Sequence, residues 1–226
     1  MSVEEELLQG KKHYCSTPQA IGRGGVGLCA WPRNHVVTWN VVAPLPGFTV
    51  QSLQQIYKAS FDLWTAVSGF KHAFTQNPRN ANIIVGARDI DRAGGILGEH
   101  QLPCGNITAT SQIQGWLDSS DSWTTAKNWR QTGRFPVHSV SAHEFGHGIG
   151  LSHAPENLQA LMAPRLSLIT TPQAWDKSEV VLRYGQDQDQ DQDQDSDAGD
   201  LLGQILRCLE RLSDSDKQTI KELFLE

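Results

Sequence analysis

Between Val50 and Phe70 the apolar positions Leu53, Ile56, Tyr57, Trp64 and Val67, with the small Ser60 among them, recur every three or four residues. That period predicts an amphipathic helix with one face in a core. Ala81-Asn82-Ile83-Ile84-Val85 is a short β-branched run and predicts a buried strand. Further on, Gln186 to Asp195 alternates Gln and Asp with no apolar residue at all. Such a run cannot bury surface and predicts a disordered, self-repelling linker, taken as 186–200. Beyond it Leu202, Ile205, Leu209 and Leu212 form a stripe at three–four spacing. Ser213 or Asp214 would cap a second short helix bearing Ile220, Leu223 and Phe224. Residues 201–226 therefore predict a helical hairpin or an association segment, a tail too short to bury much core alone. The longest apolar stretches are strand-sized, which argues against a membrane span.

The charge has a local origin. Seven of the 25 acidic residues lie between Asp187 and Asp200, and the other 18 nearly balance 19 Lys and Arg. The formal charge of −6 is thus almost all linker. No basic patch points to nucleic acid. Of the four cysteines, Cys29 and Cys104 fall in the central part and could pair, while Cys15 and Cys208 lie in the ends.

The chemistry concentrates in His143-Glu144-Phe145-Gly146-His147-Gly148-Ile149-Gly150-Leu151-Ser152-His153. This is an H-E-x-x-H-x-x-G-x-x-H run. His143 and His147 share one helical face. Gly150 can adopt φ > 0, end the helix and swing His153 to the same point. Three neutral imidazoles make a catalytic zinc site with one open tetrahedral position, whereas a structural zinc closes with four protein ligands. Glu144, next to the first ligand, is read as the general base. The competing reading, a buried histidine-rich helix without metal, needs five specified positions to coincide.

The motif is that of the metzincin zinc peptidases, and Leu161-Met162-Ala163-Pro164 resembles their methionine turn, with Met162 under the metal. From about Cys15 to Gly185 the chain resembles the matrixin, or matrix-metalloproteinase-like, family. The resemblance is carried in order by Trp31 to Trp39, the helix after Val50, Ala81 to Val85, Gly95-Ile96-Leu97-Gly98, Trp116 to Trp123, the zinc motif and Trp175 to Gly185. It implies an α/β fold: a twisted, mostly parallel mixed sheet with three helices and a cleft along an edge strand. It also implies a zinc endopeptidase acting on protein or peptide substrates, with residues 31–185 as its catalytic domain and 1–30 as a short N-terminal segment. Leu97 and Gly98 would flank the scissile bond, and Pro164 would stand in the wall of the specificity pocket, which runs from Met162 to about Thr171. Ala163 stands where the family usually has Tyr.

Three departures accompany the resemblance. The family's second, structural zinc needs histidines where this chain has Glu99 and Trp116, and His100 is one step off, on the opposite strand face. That zinc is expected to be absent, with one catalytic zinc retained. Asp118 and Asp121 match family calcium ligands, but the loop they would clasp is mostly missing, so they are expected to be solvated and calcium is left undecided. The first residues show no basic and apolar signal segment, against a family that is usually secreted, and the compartment is left open. Tyr14-Cys15-Ser16-Thr17-Pro18 keeps the Cys-x-x-Pro of the family's latency switch without its flanking Arg and Gly, so Cys15 stands as either a zinc-capping thiolate or a plain cysteine. A binding or assembly protein acting through 201–226, by self-association or partner docking, is the alternative to an enzyme.

Overall fold

The structure, a computed structural model, describes residues 2, 3, 5, 13–17 and 29–186. The Gln-Asp run from residue 187 and the segment 201–226 lie outside the described residues. Six strands form one sheet in the order β1-β5-β6-β4-β2-β3. They are β1 (Tyr14–Cys15), β2 (Val36–Val41), β3 (Lys71–Phe74), β4 (Ile83–Arg88), β5 (Ile96–His100) and β6 (Ile113–Asp118). β3, β2, β4 and β6 run parallel, and β5 runs antiparallel to β6. The short strands β7 (Trp123–Thr124) and β8 (Phe135–Pro136) pair separately. Helices α1 (Val50–Thr65), α2 (Val137–Gly148) and α3 (Ala174–Tyr184) complete the described part. The expected α/β class, with a mixed, mostly parallel sheet and three helices, is what is observed.

The start of α1 follows from two hydroxyls. Thr49 Oγ1 accepts from Ser52 N–H at 3.0 Å, and Ser52 Oγ accepts from Thr49 N–H at 3.0 Å. This reciprocal cap satisfies two donors that a helix N-terminus otherwise leaves open. Val67 lies beyond the helix end and is half-buried, whereas the rest of the predicted stripe is buried at Leu53, Ile56, Tyr57, Ser60 and Trp64, joined by Phe61. It lies against α2: the Phe61 and Phe145 rings stack at 3.9 Å, and Trp64 Nε1–H donates to the Ala142 carbonyl at 2.9 Å. Burying each of the large apolar side chains stabilises the pair by about 1.5–3 kcal/mol.

α2 is different in kind. Every residue from Val137 to Gly148 except His138 is buried. A helix enclosed on all sides has no polar face and therefore little periodicity to read. It runs under β5 and β6 and is the element on which the zinc motif sits.

The disulfide Cys29–Cys104 is formed. The expectation that Asp118 and Asp121 are solvated is corrected. Both are buried. The Asp118 carboxylate accepts from Asp91 N–H at 3.2 Å and Ser120 N–H at 2.7 Å, and Asp121 Oδ1 accepts from Gly94 N–H at 2.7 Å. The short loop after β4 leaves backbone donors that need acceptors, and these acids supply them.

Candidate metal centre

α2 carries His143 and His147 one turn apart, with Glu144 next to His143, along its buried length. The helix closes at Ile149, and Gly150 follows at φ +102°. A Cβ on Gly150 would stand 2.0 Å from the Cys29 carbonyl oxygen. Glycine is thus required twice, by the backbone angle and by the close approach of the chain. Three anchors hold this turn. Tyr184 O–H donates to the Ile149 carbonyl at 2.7 Å, Arg183 Nε–H to the Gly150 carbonyl at 3.0 Å, and Trp31 Nε1–H to the Gly148 carbonyl at 2.9 Å. The turn returns His153 to the other two imidazoles.

Their ring nitrogens meet at one point. His147 Nε2 lies 3.2 Å from His143 Nε2 and 3.2 Å from His153 Nε2. His143 Nδ1 is 2.7 Å from the Leu161 carbonyl oxygen and His147 Nδ1 is 2.7 Å from that of Leu151. A carbonyl only accepts, so each Nδ1 carries the proton and each Nε2 presents a lone pair. Lone pairs facing one another at that distance repel unless a cation lies among them. The spacing fits one: nitrogens bound tetrahedrally at 2.0–2.1 Å from zinc are about 3.3 Å apart. Burial lowers the pKa of all three imidazoles, that of His143 to about 4. Neutral rings are the form that binds metal.

Cys15 completes the group. Its Sγ and the three imidazole nitrogens all lie within 4.8 Å of one another, a set that could hold a metal ion. Glu144 is buried beside it, with Oε2 3.4 Å from Cys15 Sγ. Burial pushes the Glu144 carboxyl up to about 8, with the Glu99 charge adding to it. Burial, and then the facing Glu144 carboxylate, hold the Cys15 thiol well above its ordinary range.

The segment bearing Cys15 occupies a channel between two walls. β1 lies parallel to β5, with Tyr14 opposite Ile96 and Cys15 opposite Gly98. Ser16 N–H donates to the Gly98 carbonyl at 3.1 Å and Cys15 N–H to the Pro164 carbonyl at 3.3 Å, while Leu166 N–H donates to the His13 carbonyl at 3.0 Å. The edge expected to be open at β5 is therefore covered by the chain's own β1. Gly98 passes directly over Glu144, and a Cβ there would sit 2.8 Å from Oε1. Beside the metal group a pocket is lined by Leu97, Val140, Leu161, Pro164, Leu166 and Ile169. Met162 is fully buried against Gly146 of α2, where a Cβ would meet its Sδ at 2.2 Å.

Glu99 and Trp116, which stand where the resemblance expects histidines for a second zinc, make other contacts. Glu99 pairs with Arg88 and accepts from Ser16 Oγ at 3.2 Å. The Arg88 guanidinium lies 5.3 Å over the Trp116 ring. His100 points the other way, into the core.

Sequence reasoning missed Asp176. Its buried carboxylate accepts from Leu161 N–H at 2.7 Å, Met162 N–H at 3.0 Å and Gln173 N–H at 2.7 Å. It ties the methionine turn to the start of α3. The available signal was an acid three residues after the helix boundary, where N-terminal N–H groups need acceptors. It missed Thr17 as well, whose N–H donates to Cys15 Sγ at 3.3 Å and whose Oγ1 accepts from His100 N–H at 2.9 Å.

Residues 30–181 match the matrixin family. Among curated relatives, the human neutrophil collagenase is 27% identical over 179 residues, covering 74% of this chain and 35% of that protein. Human matrix metalloproteinase-27 is 27% identical over 165 residues, covering 68% of this chain and 29% of its own length. The hatching enzyme of Paracentrotus lividus is 28% identical over 142 residues, covering 59% and 22%. The chain thus spans about a third or less of the length of these relatives. With the family match running over most of the chain and the three imidazoles converging as its motif requires, the chain belongs to the matrixin family of metalloendopeptidases.

Proposed function

We propose that this chain is a zinc endopeptidase cleaving extended protein segments, with His143, His147 and His153 as metal ligands and Glu144 as general base. The convergence of the three imidazole Nε2 atoms beside Glu144 carries this reading. When bound, zinc would supply Lewis acidity, lowering the pKa of a coordinated water to about 7. Glu144 takes the attacking water's proton on its carboxylate and then gives it to the leaving amine nitrogen. A carboxyl raised towards neutrality suits both halves of that transfer. Met162 supports the imidazoles by packing, without ligation.

Substrate would add to β5 as a strand, taking the main-chain bonds that β1 now makes to Gly98 and to the 164–166 segment. Leu97 and Gly98 would then flank the scissile bond, and the bare Gly98 lets it approach Glu144 closely. The pocket walled by Leu161, Pro164, Leu166 and Ile169 would take an apolar side chain. We further propose a single zinc per chain, because Arg88, Glu99 and Trp116 satisfy one another where a second would sit. The disulfide suits an oxidising compartment outside the cytosol. No helix among the described residues is long and apolar enough to cross a membrane.

Cys15 is read as an internal inhibitor, its thiolate taking the position that water needs. Cys15→Ser is expected to raise the initial rate of peptide cleavage by the full chain by roughly tenfold or more, since a tethered ligand acts at an effective concentration in the millimolar range. Equal rates for the variant and the wild type would retire the latency role. The tail is separable on this reading, because the site and its supports lie within the described residues. Deleting 187–226 is expected to leave kcat/KM within about twofold and to change the oligomeric state by size-exclusion chromatography. Loss of folding on deletion would instead make the tail part of the core.

A further inference from the structure

Beneath β5 the His100 imidazole fills a slot opened by two glycines. A Cβ on Gly115 of β6 would stand 2.0 Å from its Cδ2, and one on Gly148 at the end of α2 would stand 2.6 Å from its Cε1. Any larger residue at either place would expel the ring. His100 is thus built into the fold, 3% exposed, at a place the metal reading does not use.

Its hydrogen bonding is half complete. Nδ1 lies 2.7 Å from the Gln101 carbonyl oxygen, so Nδ1 carries the proton and Nε2 offers a lone pair. That lone pair, the Tyr57 hydroxyl and the Ser141 hydroxyl are all buried, and none of the three has a hydrogen-bond partner among the described residues. They come from β5, α1 and α2 respectively, yet all three residues line one cavity. Glu144 and Phe145 line it too. Orphaned buried polar groups are uncommon, and three around one cavity make a polar site rather than a packing defect.

The cavity measures about 10 Å³ as space open to a water's centre. One water needs about that room, together with two to four polar partners. The donor count also closes. Two hydroxyls can donate to the water, Nε2 accepts one of its protons, and its second proton is left for the wall that Glu144 forms. We propose that this cavity holds one ordered water that braces Glu144 from within the core, making His100, Tyr57 and Ser141 positioning residues for its proton transfer. The positioning role rests on the peptidase reading above, whereas the water itself does not.

The test is a high-resolution crystal structure of the full chain, with kinetics of Tyr57→Phe and Ser141→Ala alongside. Each variant removes one hydroxyl and almost no volume. A water within hydrogen-bond distance of His100 Nε2, Tyr57 Oη and Ser141 Oγ is expected in the wild type. Both variants are expected to lose about tenfold in kcat, the scale of outer hydrogen-bond partners at metal sites, with KM, zinc content and thermal midpoint unchanged. That split separates positioning from a merely structural role, which would move the midpoint. Absence of the water in the wild type overturns the site, and an unchanged kcat in both variants overturns the positioning role. A zinc-free, inactive wild type would overturn the peptidase reading and the positioning role with it, while the water is still decided by its density.

Discussion

Glu144→Ala is expected to abolish measurable peptide hydrolysis, a loss of roughly 10²–10⁴ in kcat, while zinc stays bound. At about 1.36 kcal/mol per factor of ten, that is some 3–5 kcal/mol of transition-state stabilisation. The split between rate and metal follows from geometry. The Glu144 carboxylate is not among the atoms that converge; those are the three Nε2 atoms and Cys15 Sγ. Each α2 imidazole is oriented by its own carbonyl partner, Leu161 for His143 and Leu151 for His147, and neither bond involves Glu144. The variant should therefore bind zinc no more weakly than the wild type. Kinetics on an activated sample beside metal analysis check both halves. Hydrolysis that persists at a tenth of the wild-type rate or better would remove Glu144 from the mechanism.

His147→Ala should have the other large effect, losing metal and activity together. His147 Nε2 is the central member of the three, at 3.2 Å from each of the other two. Without it, only His143 and His153 remain as imidazole ligands beside the Cys15 Sγ. The Leu151 carbonyl also loses its Nδ1–H donor in a buried turn, which costs about 1–3 kcal/mol. Metal binding that favours only the folded state adds to stability, so the variant forfeits that contribution as well. Chelated wild type supplies the control. It is expected to be inactive and to recover on adding zinc, whereas His147→Ala stays inactive at the same zinc concentration and melts at a lower temperature. Stoichiometric zinc and wild-type rates in this variant would sink the ligand assignment.

Much of the fold was legible because local chemistry and global packing agree. The three–four stripe of α1 is buried as read, and Gly150 takes the positive φ that the motif demands. α2 could not be read from periodicity, since a helix buried on every side carries no alternation; only the histidine spacing revealed it. The covered edge was hidden for a related reason. β1 is two residues long, too short for any strand pattern, and is fixed by bonds to Gly98, Pro164 and Leu166 that lie far along the chain. The environments of Asp118 and Asp121 were misread because burial depends on a loop whose backbone donors only tertiary structure brings near. Of the candidate site, the closeness of the three imidazoles followed from the histidine spacing. The His100 slot did not, since Gly115 and Gly148 are remote in sequence from His100 and from each other, and their shared role is visible only as space around one ring.

The central claim is that three imidazoles hold one catalytic zinc which Glu144 serves. Its most direct test is zinc content per chain, measured together with casein cleavage before and after modification of Cys15 by a mercurial, for wild type and Glu144→Ala. The account predicts one zinc in both proteins, and cleavage that rises on thiol modification in the wild type alone. Two zincs would contradict the proposed single zinc and the role given to Arg88, Glu99 and Trp116. No zinc, or one zinc with no cleavage even after Cys15 is blocked, would contradict the account at its centre.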